Sequence, residues 1–326
     1  MTLQRVLRRA ALASLTFVLA TAALYVAIRA LPGTPWGDDP LTSPAILQEW
    51  RTQHHLNDGV LAGYLAWLRD VASLRLGDSY TVAPGEDVAT VIGRAAPTSL
   101  ALGFLGMSLG LAVSVAAAMG AAARPGSAWD RAWSAFVHVL YAVPGFWVAM
   151  ILQNLFAQRL HWVPSFGTGG DLSPTGDAAW DLLGRARYWL LPPACLAFGS
   201  LGFLFRSTRA GLIDAARSFF VRAGRARGLP RRLLIGRHAF AGVRIHLATW
   251  TTLAAPSLIG GSVVVEWVFG LPGVGRLFLN AIGKRDYPLV MGVGVCFIAA
   301  SIAASAAADV AYEILDPRLR RPESRA

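Results

Sequence analysis

The stretch that most resembles a phosphate-binding loop is Gly270-Leu-Pro-Gly-Val-Gly275-Arg276-Leu277, which follows the apolar run Val263–Phe269. A working loop of that kind reads G-x-x-x-x-G-K-[ST], with lysine on the phosphates and a hydroxyl on Mg²⁺. Arg276 and Leu277 stand at those two positions, so the glycines are read as a turn and no nucleotide site is expected. Metal chemistry finds no better footing. His138 and His246 are isolated, His54-His55 lies in a polar segment that suits a solvated pair, and no His, Cys or carboxylate pair has ligand spacing. Ser165 and Ser173 sit in a Gly/Pro-rich stretch without a nucleophile motif, and no Ser/His/Asp or Cys/His arrangement stands out. Cys195 and Cys296 lie in apolar runs, which indicates neither a disulfide framework nor a CxxC site. Catalytic and metal sites are expected to be absent, and the chain is not read as an enzyme. Two acidic features remain. Glu266 lies near the end of an apolar stretch, where an ionisable group is a functional candidate; the competing reading is an interfacial group or the partner of a nearby arginine. Asp309 and Glu313 share one helical face and are read as partners of arginines.

What must position these residues is a set of membrane helices. Of the 326 residues, 55% are apolar and 15% charged, with a mean hydropathy of +0.48. Soluble domains carry about 25% charged residues, so a disordered chain is excluded and a soluble enzyme disfavoured. A helix crosses the hydrocarbon core with about 20 apolar residues. Six stretches qualify, near 10–30, 98–122, 133–157, 188–207, 246–268 and 288–312. The first follows Arg5, Arg8 and Arg9, as a secretory signal does. Its apolar run from Ala10 to Ile28 is longer than a signal core and passes into Leu31-Pro-Gly-Thr-Pro without a cleavage site, so it is read as a retained anchor. Pro144-Gly145 in the third stretch and Pro192-Pro193 early in the fourth are expected to break helical hydrogen bonding locally. Freed carbonyls in a membrane must be buried in protein or line a cavity. Pro144 is therefore a pore or gate candidate beside Glu266, with a simple packing kink as the alternative. Residues 31–97 are too polar to span, and Leu61, Leu65, Leu68 and Val71 predict a short helix lying on the surface there.

Charge sets an expected orientation. Nineteen of the 30 Lys and Arg residues fall in the N-terminus, 123–132, 206–245 and the tail, ten of them in 206–245. The other 11 accompany 12 acids on the opposite side. By the positive-inside rule both termini and the 206–245 stretch are cytoplasmic. The Gly270–Leu277 turn then faces outward, away from ATP, and is read as packing over the pore mouth.

The strongest signal lies in 206–245. Leu212, Ala216, Phe219, Phe220 and Ala223 recur at helical spacing, Gly228 follows where a left-handed C-cap is easiest for glycine, and Pro230 suits the first turn of a second helix. A basic loop held near anionic lipid, at about 1 kcal/mol per arginine, accounts for the charge but not for the apolar face or the glycine turn. Both are expected of a helix that docks into a groove on another protein. Nucleic acid is not expected as a partner, because the loop lacks a recognised module and is tied to the bilayer at both ends.

This loop resembles the "EAA" coupling loop of the membrane subunits of bacterial ABC importers, and within them the dipeptide/oligopeptide permease group, which includes nickel and glutathione importers. That group shows D-Y-V-R-T-A-R-A-K-G-L followed by an R-H-A-L run. Here Ser218 to Leu229 reads SFFVRAGRARGL, and Arg237 to Phe240 reads RHAF. The resemblance extends over nearly the whole chain. It takes in Leu31-Pro-Gly-Thr-Pro, Tyr64-Leu-Ala-Trp-Leu, Leu76-Gly-Asp-Ser, Pro97-Thr-Ser-Leu, Val143-Pro-Gly-Phe-Trp, the run from Val263 to Pro288, and Leu315-Asp-Pro-Arg. Three positions depart: Gly224 for the usual alanine, Phe219 where an Asp or Tyr is common, and His246 for a proline after the loop.

The resemblance implies an all-α integral membrane protein with the six-helix type I importer permease architecture. On it, 1–97 forms an anchor helix plus an external segment, 98–312 a five-helix core carrying the coupling loop 208–245, and 313–326 a cytoplasmic tail. It implies a multi-pass subunit of the bacterial inner membrane, probed from outside by an extracytoplasmic solute-binding protein. Its further partners are two ABC ATPase subunits, a second homologous permease and membrane lipid. ATP and Mg²⁺ would sit on the ATPases, and no cofactor on this chain. Phe219, Phe220, Arg222, Ala223, Gly224, Arg225, Ala226 and Gly228 match the ATPase-coupling segment, and peptides are the expected cargo. The rival reading is a secondary transporter or channel without an ATPase, for which Glu266 would serve as the charged relay; a membrane scaffold that holds a partner is a third.

Overall fold

Lipid offers backbone groups no partners, so apolar runs of this length fold as helices. The computed structural model describes residues 3–30, 59–169, 178–230 and 262–315, with isolated positions in 48–52 and 233–247. Among them the helices are α1 (Leu3–Ala30), α2 (Val60–Ala72), α3 (Val88–Ala123), α4 (Ala128–Ala142), α5 (Gly145–Leu152), α6 (Ala178–Tyr188), α7 (Leu191–Ala216), α8 (Phe219–Ala226), α9 (Ser262–Phe269), α10 (Val274–Gly283) and α11 (Tyr287–Leu315). A π-helical segment, Gln153–Arg159, continues α5. Four helical stretches are long and apolar enough to cross a membrane, and two bent pairs, α4 with α5 and α9 with α10, raise the number to six if each is one span. The all-α, six-span expectation is met in that form. His54-His55, Ser173, His246, the 248–261 part of the fifth stretch and the tail beyond 315 lie outside the described residues, as do the side chains of Asp309 and Glu313.

The departures from expectation have local causes. α3 starts at Val88 rather than near 98, with Pro97 inside it. Asp87 accepts the backbone N–H of Thr90 at 2.9 Å, an N-cap that starts the helix early, and Arg94 pairs with Glu86. Pro144 does break its span: it caps α5, which leaves α4 at 105°. Pro192 and Pro193 do not break theirs. They occupy the first positions of α7, where a missing N–H forfeits no bond. α7 then runs on to Ala216, so Leu212 and Ala216 belong to the span and not to the loop helix assigned to them from periodicity. The predicted surface helix exists as α2, but its inward face is Gly63, Tyr64 and Val71, while Leu61 and Leu65 are exposed. Tyr64 donates its hydroxyl to the Val18 carbonyl at 2.8 Å and lies 3.0 Å from Thr21 Oγ1, and its ring packs edge-on to Tyr25.

By packing, the chain divides into two compact units, one of 1–99 with 272–303 and one of 100–271 with 304–326. The first is built around Val88, Ile92, Ala281, Leu289 and Val293 and is closed by Asp286, which is fully buried. Its Oδ2 accepts the Ser79 hydroxyl at 2.6 Å and the backbone N–H groups of Tyr80, Thr81 and Val82 at 3.0–3.1 Å. Its Oδ1 caps the start of α11 through Leu289 N–H. Burial pushes this carboxyl up, but the Ser79 hydroxyl and the N–H groups of Thr81, Val82 and Tyr80 outweigh it and hold the group below the ordinary carboxylate value. Burial, with Asp78 and Asp286 nearby, raises the neighbouring Tyr80 phenol.

The second unit holds two apolar clusters. One gathers Leu102, Ala149, Cys195, Val265, Phe269 and Leu271. The other joins α3, α4 and α7 to the loop that follows them.

Candidate functional site

α7 ends in a tight turn, with Arg217 N–H on the Asp214 carbonyl and Ser218 N–H on that of Ala215, both at 3.0 Å. α8 follows at once and has two distinct faces. Val221 and Gly224 point inward and are buried; Phe219, Arg222 and Ala226 point outward and are exposed, with Ala223 half-buried between the two faces. Phe219 is 73% exposed, the most of any large apolar side chain on the helix among the described residues. The side chains of Phe220 and Arg225 lie outside the described residues. Gly228 ends the helix with φ 76°. Leu229 N–H reaches back to the Gly224 carbonyl at 3.2 Å, the long bond of a Schellman cap. Pro230 opens the next turn by accepting from Leu233 and Leu234, and Leu234 folds back beneath α8.

The inward face explains one of the unusual residues. A Cβ at position 224 would lie 2.6 Å from Leu234 Cδ2. Gly224 is thus a close-approach glycine inside the loop's own packing, matched to a leucine that occupies the space of the expected methyl. Val221 and Leu234 join Ala118 and Ala121 of α3, Val137 of α4 and Leu212 of α7 in one cluster. The loop is therefore bolted to three helices of its own chain while Phe219 and Arg222 face away from them.

The two gate candidates lie in different surroundings. Pro144 is exposed at the α4–α5 bend, and Glu266 is fully buried on α9, where its Oε1 accepts the Ser262 hydroxyl at 2.7 Å. What ties the broken spans together is a residue that the periodicity does not single out. Gln153, at the start of the π segment, donates its amide to the Val268 carbonyl at 2.9 Å and to the Ser165 carbonyl at 2.8 Å. Gly167 N–H serves the Phe269 carbonyl at 3.0 Å and Leu271 N–H the Glu266 carbonyl at 2.9 Å. The last carbonyls of a helix have no partner within it; here those at the end of α9 are met by the π segment, the 165–167 stretch and a turn. Gln153 is 7% exposed, and its only mark in the sequence is a polar side chain midway along an apolar run. In the turn that mimics a phosphate loop, the Val274 N–H at the head of α10 is taken by Ser99 Oγ at 2.8 Å, in keeping with a structural turn. Among the described residues no group of three His, Cys, Asp or Glu side chains is placed to hold a metal ion.

With this geometry in hand, comparison with known proteins is informative. The oligopeptide transport system permease protein OppB of Salmonella typhimurium is 31% identical over 304 residues, covering 93% of this chain and 94% of its own. The oligopeptide transport system permease protein AppB of Bacillus subtilis is 30% identical over 297 residues, covering 90% and 92%. Among solved structures, a chain of the MetNI methionine ABC transporter in an inward-facing conformation superposes with a TM-score of 0.52 at 18% identity, over 70% of this chain and 97% of that one. That likeness shows a shared fold. The profile of the family described as "Binding-protein-dependent transport system inner membrane component" matches residues 110–321, a span that holds α8, its cap and both bent pairs. The chain belongs to the family of binding-protein-dependent transport system inner membrane components.

Proposed function

We propose that this permease passes peptides across the bacterial inner membrane, driven by ATP hydrolysed on two partner ATPase subunits, one of which receives α8. The observation that carries the reading is the two-faced α8: an inner face packed into three helices of its own chain and an outer face presenting an exposed phenylalanine beside arginines. A helix built this way moves its spans when it is moved. It transmits work only if the two states of the ATPase hold it in different positions. Phe219, Arg222 and Ala226 make the contact, with Phe220, Ala223 and Arg225 beside them; Gly228 sets the turn and Gly224 the packing beneath. Peptides as cargo rest on the names of the relatives, and the choice among peptides falls to an extracytoplasmic binding protein. A second homologous permease completes the pathway, with both termini and α8 in the cytoplasm as the distribution of arginine indicates. The chain binds neither ATP nor Mg²⁺ and has no catalytic site of its own.

The test is to tag the chain, extract it in mild detergent and identify what comes with it. Two ATPases with Walker motifs and a second permease are expected. Phe219→Ala should lower ATPase recovery by about tenfold or more, the usual effect of truncating an aromatic anchor. A chain that emerges alone from membranes containing such ATPases, and stays alone after gentle crosslinking, overturns the reading and moves attention to Glu266 and secondary transport.

A further inference from the structure

α4 and α7 run antiparallel, and three side-chain contacts spaced along α4 meet one stretch of α7, Phe205–Arg209. At one end Arg209 Nε and Nη2 donate to Asp130 Oδ1 and Oδ2 at 2.6 and 2.8 Å. Next along, the Trp133 and Phe205 rings stack with centroids 6.0 Å apart. From the position after Phe205, the Arg206 guanidinium reaches to the last turn of α4 and lies over the Tyr141 ring at 4.9 Å. Asp130 is 3% exposed and has a further partner: Gly126 N–H donates to Oδ2 at 2.8 Å, which fixes the turn that leads into α4. A two-pronged guanidinium–carboxylate contact resists both sliding and twisting, because both bonds must be lost together.

This pair sits where motion must divide. α7 leads through the Arg217-Ser218 turn straight into α8. α4 leads the other way, into the 105° bend at Pro144. We infer that Asp130 and Arg209 are positioning residues that make α4 follow α7 as one rigid lever, so that displacement of α8 reaches the α4–α5 bend instead of being lost by slippage between the helices. The inference rests on the docking of α8 to an ATPase and adds to it the route by which the movement leaves the loop.

The test uses the complete complex, with Cys195→Ala and Cys296→Ala in this chain and spin labels on cysteines at the exposed positions Ala135 of α4 and Ala210 of α7. The distance between labels is measured without nucleotide and after trapping with ATP and vanadate. In the otherwise native chain it should stay constant. In Arg209→Gln and Asp130→Asn it should shift or broaden on trapping while ATP hydrolysis continues. The double variant Asp130→Asn with Arg209→Gln should recover constancy in part, since two amides hydrogen-bond without leaving a lone buried charge. Arg209→Lys keeps the charge but loses the fork, and should fall between; it carries the test should Asp130→Asn not fold. A distance that changes in the native chain, or stays constant in the single variants, overturns the lever. Failure of the native chain to assemble with ATPases would instead remove the docking of α8, and the lever with it.

Discussion

Gly228 has φ 76°, and a Cβ built there meets nothing within 4 Å. The demand at this position is on the backbone alone. A left-handed conformation costs an ordinary residue about 1–2 kcal/mol, but asparagine tolerates it. Gly228→Val should therefore abolish ATP-driven uptake while the protein still inserts, and Gly228→Asn should retain most of it; equal uptake by the two would show that the cap is dispensable. At Asp286 the demand is on charge. Its carboxyl is held below the ordinary value of about 3.9, so the carboxylate adds stability that is fully present above that value and fades as pH falls through the lower value of the folded protein. Asp286→Asn should cost roughly 2–3 kcal/mol near neutral pH, the scale of hydrogen bonds to a charged group, and should flatten the acid limb. Thermal unfolding in detergent across that pH range checks both.

All three prolines stand at helix starts, where a missing N–H forfeits no helical bond. Pro144 is the N-cap of α5 directly after α4 has ended, and the chain bends by 105° there, whereas Pro192 and Pro193 lie in the first turn of α7 within a stretch that counts as one span. The break after α9 leaves carbonyls that Gln153 must satisfy from another span. Gln153→Leu keeps the volume and removes both donors. It should destabilise the unit by about 1–3 kcal/mol per stranded carbonyl and open the 160–169 stretch to proteolysis; a variant with native resistance and melting would show that water can take the amide's place.

Across the whole chain, charge rather than packing sets the expected sidedness. Lys284 and Arg227 are both exposed and lie in segments assigned to opposite sides. A cysteine at Lys284 should react with an impermeant maleimide in right-side-out vesicles, and one at Arg227 only in inverted vesicles. The reverse pattern would place α8 outside and leave the ATPases nothing to hold.

Span number, the all-α class and the short helix closed by Gly228 were readable along the chain because they depend on local quantities. A span is a length of apolar residues, a helix a period, and a cap one glycine at the right offset. The leucine period located α2, but the period alone did not name Tyr64 and Trp67, which pack on Tyr25 of α1 and bury, with Val71, the face that meets it. Gly224 departs from the alanine that the resemblance leads one to expect, and the reason, Leu234 packed beneath it, lies ten positions further on. The polar contacts that hold the permease together were out of reach for a related reason. Asp130 meets Arg209 across 79 positions, Gln153 meets Val268 across 115, and Ser79 meets Asp286 across 207. No periodicity connects residues so far apart. Which buried donor finds which acceptor is settled by how the helices pack, because a polar group within the membrane must find its partner wherever the fold brings one.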